Sequence, residues 1–265
     1  MEMFRPRSVE EAVNILSGHP EATILAGGTD LMIEVNARRA TPSAVVSLRG
    51  VGELRAWDGN RIGACVTYDR LQAGPQPALA QAARTVGSPQ IRNAGTIGGN
   101  VATASPAGDT LPFLAAVGAS VEVASLAGRR SVPIADFITG VKRTALLPGE
   151  LITAIVLPDG LPETQAFAKV GVRDAMVIAI VSACVVRWPD GTTRVALGAA
   201  GPVPVRPRRA EELVSAAPEL SPSMLAAFAA LVAEDASPIT DHRGTEGYRR
   251  HAAGVLARRL LERLL

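Results

Sequence analysis

Two short stretches decide the fold and the candidate site of this chain: Ala26-Gly27-Gly28-Thr29-Asp30 and Gly95-Thr96-Ile97-Gly98-Gly99-Asn100. Each places two adjacent glycines beside polar side chains. Glycine lets the backbone come close to a ligand because it has no Cβ. Successive N–H groups at the start of a helix create a partial positive charge there, which suits phosphate oxygens. Together the two stretches predict a clamp that grips a pyrophosphate from both sides.

The residues around each stretch extend this prediction and leave alternatives open. A carboxylate is unfavourable next to a phosphate, so we expect Asp30 to turn away and cap the following helix. Asp109 lies just before an apolar helix, where it suits either an N-cap or a ribose partner. Residues 88–112 are rich in Gly, Ser, Thr, Asn and Pro, and we expect a long functional loop there. The alternative is that the two stretches are unrelated turns.

The pattern of apolar and turn residues predicts an α+β fold. Ser8 and Glu11 form a capping box before a helix, and short strands follow it within residues 1–56. Residues 57–160 combine strands with short helices, and Pro158-Asp159-Gly160-Leu161-Pro162 is the candidate domain boundary. Beyond it we expect a hairpin around Pro189-Asp190-Gly191-Thr192, then helices beginning at Ser221 and Glu246.

Composition excludes several classes of protein. The 265 residues are 48% hydrophobic and carry a formal net charge of only +2, so a large core is expected and a dedicated nucleic-acid binder is not. The two cysteines, Cys65 and Cys184, lie in apolar stretches and are expected to be buried thiols. No apolar run is long enough to cross a bilayer and no signal peptide is visible. We therefore expect a cytoplasmic protein without membrane insertion.

Several common motifs are missing. The sequence has no G-x-G-x-x-G opening a helix, no G-K-[ST] phosphate loop and no G-x-S-x-G elbow. Its three histidines share no metal-ligand spacing with each other or with the cysteines. A standard dinucleotide fold, a phosphate-loop enzyme, a hydrolase and a zinc site are therefore not expected.

The motifs resemble those of a known family. Residues 26–30 read A-G-G-T-D, residues 88–100 read S-P-Q-I-R-N-A-G-T-I-G-G-N, and residues 105–109 read S-P-A-G-D. These stretches, with Leu147-Pro148-Gly149-Glu150-Leu151-Ile152, resemble the FAD-binding medium subunit of the molybdenum hydroxylases, the xanthine dehydrogenase, aldehyde oxidase and carbon monoxide dehydrogenase family. Lys169 and residues 243–250 match more loosely. The resemblance covers nearly the whole chain.

The resemblance implies a fold and a set of cofactor-binding residues. It implies a PCMH-type FAD-binding domain over residues 1–160, made of two α/β subdomains (about 1–56 and 57–160), followed by a C-terminal domain over 161–265 with an antiparallel sheet and helices. By resemblance, the FAD pyrophosphate would be bound by backbone N–H groups and by Thr and Asn side chains, and the full set of implied residues is Leu25, Ala26, Gly27, Gly28, Thr29, Asp30, Val86, Gly87, Thr96, Ile97, Gly98, Gly99, Asn100, Asp109, Ile152 and Lys169.

Within that set, the resemblance implies different roles. Asp109 would reach the adenosine side, while Val86, Gly87 and Ile152 would lie close to the flavin. Lys169 would place a positive charge near the cofactor and favour its negatively charged reduced form. The alternative for Lys169 is an ordinary surface lysine. Some relatives carry a bulky aromatic residue where this chain has Val86, so stacking on the flavin ring is not expected from that position.

The resemblance also implies a function. The chain would be the FAD-carrying electron-transfer subunit of a heteromeric oxidoreductase. A large molybdopterin subunit and a small 2Fe–2S subunit would be separate chains, because two cysteines cannot hold an iron–sulfur cluster. Since the cofactor would carry out the redox chemistry, no catalytic side chain and no metal ligand is expected.

Two other functions are considered. A stand-alone flavoprotein of the vanillyl-alcohol-oxidase type would need its own acid or base, and often a His or Cys that tethers the flavin; no histidine lies beside either stretch. A non-enzymatic protein that has kept the fold and lost the flavin would not need intact glycines in both stretches.

Overall fold

A small parallel sheet, in which the third strand of the chain lies between the first and the second, forms the first part of the chain. The computed structural model describes residues 2–217 and 219–265. Ser8 caps the first helix by accepting a hydrogen bond from the N–H of Glu11, as the capping box predicts. The elements of this part are β1 Glu2–Phe4, α1 Val9–Gly18, β2 Thr23–Leu25, α2 Leu31–Asn36 and β3 Ala44–Ser47.

A five-stranded antiparallel sheet, in the order β4-β5-β10-β6-β7, forms the second part. Two further strands, β8 and β9, pair with each other beside it. The elements are β4 Trp57–Asp58, β5 Arg61–Gly63, α3 Tyr68–Leu71, α4 Pro77–Arg84, α5 Pro89–Ala94, α6 Ile97–Thr103, α7 Leu111–Val117, β6 Ser120–Ser125, β7 Gly128–Pro133, α8 Ile134–Phe137, β8 Ile138–Gly140, β9 Arg143–Thr144 and β10 Leu151–Val156.

The predicted long loop over residues 88–112 is wrong, because most of it is helical. Ser88 caps α5 by accepting from the N–H of Ile91, and Thr96 caps α6 by accepting from the N–H of Gly99. Hydroxyl caps of this kind stabilise a helix by about 1 kcal/mol. Glycine and β-branched residues have low helix propensity, and for this reason α5 and α6 were not predicted from the sequence.

The third part pairs a three-stranded antiparallel sheet with three helices. The hairpin around Pro189-Asp190-Gly191-Thr192 is present, and Ser221 and Thr245 cap the two long helices. Neither β11 nor α9 was predicted from the sequence. The elements are β11 Gln165–Val170, β12 Val181–Arg187, β13 Thr193–Gly198, α9 Arg208–Ser215, α10 Pro222–Asp235 and α11 Glu246–Arg263.

The second and third parts share a continuous core. Phe113 and Leu114 of α7 belong to the same buried cluster as Phe167 of β11 and Cys184 of β12. Burial of such apolar surface is the main stabilising term in folding. The α+β class predicted from the sequence is confirmed. In residues 2–217 and 219–265, no helix is both long enough and apolar enough to span a membrane.

Candidate functional site

A cavity of about 740 Å³ opens where the three parts of the chain meet. Its volume lies within the range of pockets that hold a large organic ligand. Most of residues 24–34 line it from the first part, residues between Thr96 and Asp109 from the second, and residues 176–178 from the third. Of the predicted site residues, the cavity lining includes Leu25, Ala26, Gly27, Gly28, Thr29, Asp30, Val86, Gly87, Thr96, Gly98, Gly99, Asn100, Asp109 and Ile152.

The first glycine segment, residues 26–30, follows β2 and passes close to the end of α5. Gly28 has φ +71°, a left-handed conformation that side chains disfavour. Gly27 lies against α5 so closely that a Cβ there would overlap the carbonyl oxygen of Ala94. Each glycine is therefore required by the shape of the segment.

The first glycine segment leaves its N–H groups open. Within residues 2–217 and 219–265, no acceptor receives a hydrogen bond from the N–H groups of residues 27–30. The segment is only half-buried and lines the cavity, so these N–H groups are not sealed in an apolar core. Four successive free donors before a helix form the arrangement that binds phosphate in many proteins.

Asp30 does not cap α2, and the prediction that it does is wrong. The residue precedes the helix, but its side chain makes no capping hydrogen bond. Instead, the Thr103 hydroxyl donates to Asp30 Oδ2 at 3.1 Å. Asp30 therefore links the first glycine segment to α6 across the cavity.

The second glycine segment, residues 96–100, uses its N–H groups within the chain. Ile97 N–H donates to Val66 O at 3.0 Å and Gly98 N–H donates to Ala64 O at 2.9 Å. Gly99 N–H donates to Thr96 Oγ1 at 3.1 Å and Asn100 N–H to the Thr96 carbonyl at 3.0 Å. The N–H groups of residues 97–100 therefore already have acceptors within the chain, and their binding of a pyrophosphate stays a prediction.

The side chains of the second glycine segment remain available. Thr96 Oγ1 accepts from Gly99, so its own O–H is free to donate. Asn100 Oδ1 accepts from the Thr110 hydroxyl, which leaves the amide N–H groups as donors. Ile97 is fully buried and does not line the cavity. The second glycine segment therefore offers the cavity side-chain donors, the Thr96 hydroxyl and the Asn100 amide.

Asp109 and Lys169 form a buried ion pair at the edge of the cavity. Lys169 Nζ lies 2.7 Å from Asp109 Oδ2 and also donates to Thr85 O at 2.9 Å and Val177 O at 3.1 Å. Lys169 is therefore not a surface lysine, and it does not line the cavity. Asp109 does not cap α7, because Thr110 stands between them.

The environment of Asp109 is unusual for a carboxylate. Burial raises the pKa of Asp109 to about 6, although Lys169 opposes this rise. Its Oδ1 atom has no hydrogen-bond partner within the described residues. The nearby Thr85 hydroxyl donates to Ala82 O at 2.8 Å. A buried acceptor without a partner costs free energy unless a ligand or water supplies a donor.

The cavity lining also includes residues that the sequence did not assign to the site, among them Tyr68 and Cys65. Tyr68 has no motif around it. Cys65 was recognised only as a buried thiol. Burial raises the pKa of the Cys65 thiol to about 11, so the reactive thiolate is scarce at neutral pH. This disfavours Cys65 as a covalent tether for a flavin.

The charges around the cavity restrict how it can bind an anion. Among the described residues, no Lys, Arg or His lines it, whereas Asp30, Glu34 and Asp109 do. Phosphate would therefore be held by open N–H groups and neutral donors. A cofactor that offers phosphate acceptors fits the free N–H groups of residues 27–30, and Asp109 adds a hydrogen-bond acceptor to the same cavity lining. The fold and the cavity thus define a protein that binds a large phosphate-bearing cofactor.

Comparison with known proteins identifies that cofactor. Residues 1–160 match the family model described as the FAD binding domain in molybdopterin dehydrogenase, and residues 166–264 match the CO dehydrogenase flavoprotein C-terminal domain. The chain belongs to the family of FAD-binding medium subunits of the molybdenum hydroxylases. Its cofactor is FAD, and it is a subunit of an oxidoreductase.

Individual relatives agree with this assignment. The chain is 32% identical to the xanthine dehydrogenase FAD-binding subunit of Escherichia coli O157:H7, covering 97% of this chain and 93% of the relative. It is 34% identical to the carbon monoxide dehydrogenase medium chain of Afipia carboxidovorans, covering 99% and 96%.

A solved structure shows the same fold. A chain of the Cu,Mo-CO dehydrogenase in its cyanide-inactivated form matches with a TM-score of 0.92 at 32% identity, covering 100% of this chain and 97% of that one. The expected combination of a PCMH-type FAD-binding domain and a C-terminal domain is thereby confirmed.

Proposed function

We propose that this chain is the electron-transfer subunit of a heteromeric molybdenum hydroxylase. The bound FAD would supply the redox chemistry, taking electrons from iron–sulfur clusters on a partner chain and passing them to NAD, oxygen or another acceptor. The chain itself would bind, orient and shield the cofactor. The observation that carries this proposal is the cavity with open N–H groups on one wall and side-chain donors on the other.

Each wall of the cavity has a proposed task. The open N–H groups of residues 27–30 would hold the pyrophosphate, together with the Thr96 hydroxyl and the Asn100 amide. Asp109, which lines the cavity, would accept from a ribose hydroxyl. Val86, Gly87 and Ile152 would pack near the flavin ring, since their surfaces line the cavity.

We assign Lys169 a positioning role in this proposal. Its ammonium group is bound to three oxygens of the chain, including the carbonyl of Val177, whose residue also lines the cavity. Its charge is balanced by Asp109 at 2.7 Å, which limits its effect on the charge of the cofactor. Lys169 would fix Asp109 and residues 176–178 relative to each other, which ties the C-terminal domain (161–265) to the FAD-binding domain (1–160).

The proposed partners follow from what the chain contains and from its relatives. Cys65 and Cys184 are buried free thiols, so they cannot ligate a 2Fe–2S cluster. The carbon monoxide dehydrogenase relative is a medium chain, a name that implies larger and smaller companions. We propose a large molybdopterin subunit and a small 2Fe–2S subunit as separate chains.

Purification of the tagged chain from its host tests this function. We expect it to bring down two further chains with molybdenum and iron, and the substrate of the complex to bleach the flavin absorbance. A complex carrying Gly27→Ala should keep substrate-driven reduction of its iron–sulfur clusters and lose transfer to the acceptor; Gly18→Ala should behave as wild type. A yellow chain that is active alone would contradict the proposal.

A further inference from the structure

Tyr68 is a buried residue whose hydroxyl has no hydrogen-bond partner among the described residues. It begins α3, where the Thr67 hydroxyl caps the helix by accepting from the N–H of Arg70. The side chain is almost fully buried, with 4% of the residue exposed. Among the described residues, no group forms a hydrogen bond with the Tyr68 hydroxyl, although Tyr68 lines the cavity. A buried tyrosine usually finds a partner for its hydroxyl, so this one is available to a ligand.

The ring of Tyr68 has a fixed position beside the first glycine segment. A Cβ on Gly95 would lie 2.8 Å from Tyr68 Cε2, so the ring packs directly on the Gly95 backbone. A Cβ on Gly27 would lie 3.0 Å from the Cα of the same Gly95. Gly95 therefore separates Tyr68 from Gly27 by a single backbone layer. Tyr68 and residues 27–30 line the same cavity.

The electrostatic surroundings keep the Tyr68 hydroxyl protonated. Burial raises the pKa of Tyr68 well above its usual value, and the negative charges of Asp109 and Asp30 raise it further. The hydroxyl is therefore protonated at neutral pH and can donate a hydrogen bond. Among the described residues, no cationic side chain lines the cavity, so a neutral donor is what this wall can offer an anion.

We propose that the Tyr68 hydroxyl donates a hydrogen bond to a phosphate oxygen of the bound FAD. The hydroxyl would complete a set of neutral donors made by the N–H groups of residues 27–30, the Thr96 hydroxyl and the Asn100 amide. This inference rests on the proposed placement of the FAD pyrophosphate between the two glycine segments. Tyr68 would act in cofactor retention and not in the redox chemistry.

The substitution Tyr68→Phe tests the hydroxyl alone, because the ring that packs on Gly95 is retained. A hydrogen bond to a charged group contributes enough that its loss should weaken FAD binding by about tenfold to a hundredfold. Tyr248→Phe is the matched control, since Tyr248 is the other of the two tyrosines and is 48% exposed. FAD affinity would be measured by flavin fluorescence on the 265-residue chain freed of its cofactor.

Phosphorus NMR of the bound cofactor locates the hydrogen bond. We expect a pyrophosphate resonance to shift in Tyr68→Phe and to stay in place in Tyr248→Phe. An affinity within about twofold of wild type would overturn the proposal. So would an affinity loss with unchanged phosphorus resonances, because the hydroxyl would then act elsewhere. Full FAD affinity in Gly28→Val would overturn the proposed placement of the pyrophosphate at residues 27–30. Weak binding in Gly28→Val together with normal binding in Tyr68→Phe would overturn only the role of Tyr68.

A second measurement needs no substitution at Tyr68. Fluorotyrosine incorporated into the wild-type chain labels only Tyr68 and Tyr248, and Tyr248→Phe assigns the two fluorine resonances. FAD binding should shift the Tyr68 resonance and leave that of Tyr248 in place. A Tyr68 resonance that does not respond to FAD would overturn the proposal even if Tyr68→Phe did not fold.

Discussion

The two glycine segments are similar in sequence and opposite in structure. Residues 26–30 leave four successive N–H groups without acceptors among the described residues, whereas the N–H groups of residues 97–100 all donate within the chain. The glycines differ accordingly. Gly27 and Gly28 shape an open segment, while Gly98 lets α6 pack onto Ala64, where a Cβ would lie 2.6 Å from the Ala64 Cβ. One segment is built for a ligand and the other for packing.

This difference shows that a glycine pair does not by itself identify a phosphate-binding backbone. The deciding observation is whether the N–H groups already have acceptors. In this chain the second segment lines the cavity with Gly98 and Gly99 as well, but its available hydrogen-bond donors are the side chains of Thr96 and Asn100. Cofactor binding would then depend on backbone geometry at one wall and on side-chain identity at the other.

The largest effect is expected from Gly27→Ala. The added Cβ would overlap the Ala94 carbonyl oxygen, and both groups belong to the backbone, so the first glycine segment must move away from α5. We expect FAD affinity to fall by at least about a hundredfold, which corresponds to about 2.7 kcal/mol. Titration with FAD followed by flavin fluorescence measures this. Gly18→Ala is the control, because a Cβ there meets no atom within 4 Å. Near-normal FAD affinity in Gly27→Ala would remove the first segment from the site.

A matched pair of alanine substitutions separates the roles of the two segments. Gly28→Ala places a Cβ at φ +71°, a strain of about 1–2 kcal/mol, and the open segment can relax until FAD binds. We expect a loss of about tenfold in FAD affinity with little change in the melting temperature of the FAD-free chain.

Gly98→Ala should have the reverse pattern, because its Cβ would press on Ala64 in the core. We expect the free energy of unfolding to fall by about 1–3 kcal/mol and the FAD affinity of the folded protein to change less than in Gly28→Ala. Calorimetry and FAD titration on both variants measure the two quantities. The comparison fails if Gly98→Ala weakens FAD binding more than Gly28→Ala does.

Asp109 is a buried carboxylate in the cavity lining, and its titration makes the free energy of unfolding depend on pH. The pKa of Asp109 is raised from 3.8 to about 6, so between these values the folded chain holds a proton that the unfolded chain has released. The contribution of Asp109 to stability is therefore full below about pH 4 and is lost as the pH rises through about 6. The expected slope is at most about 1.4 kcal/mol per pH unit.

Asp109→Asn should remove this slope. The quantity to measure is the difference in unfolding free energy between wild type and Asp109→Asn across this pH range, because other groups cancel in the difference. The carboxyl of Asp241, whose pKa is lowered to about 2, is one such group. A wild-type stability that rises relative to Asp109→Asn as the pH goes from 4 to 6 would show that Lys169 outweighs burial.

The smallest effect is expected from Asp30→Asn. The amide can still accept from the Thr103 hydroxyl, and the change removes a negative charge from the cavity lining. We expect FAD to bind about twofold to fivefold more tightly at low salt, with the difference shrinking as salt screens the charge. Asp58→Asn, at an exposed position outside the cavity, controls for net charge. Weaker FAD binding in Asp30→Asn would mean that the carboxylate itself contacts the cofactor.

The sequence predicted those parts of the site that local chemistry determines. Gly27, Gly28 and Thr29 could be recognised because two glycines after a short strand and before a helix form a local pattern. The helix α6 was not recognised, since its Gly-Gly pair lowers helix propensity and its Thr96 cap works only in the folded segment. The strand β11 was not predicted either, although it has the same six-residue length as β10.

Long-range contacts could not be predicted. Asp109 and Lys169 are 60 residues apart in the sequence and meet only because α7 packs against the C-terminal sheet. The hydrogen bond between Asp30 and Thr103 spans 73 residues. Tyr68 could not be assigned to the site from the sequence, because a single aromatic residue at the start of a helix is common. Its place in the cavity lining depends on the tertiary structure.

Amide hydrogen exchange tests the central claim most directly. The claim is that the open N–H groups of residues 27–30 bind the FAD phosphates while those of residues 97–100 are satisfied by the chain. We predict that the amides of residues 27–30 exchange rapidly in the FAD-free chain and are strongly slowed by FAD, and that the amides of residues 97–100 are slow in both states. The opposite pattern, with FAD protecting residues 97–100 and leaving residues 27–30 unchanged, would contradict the account.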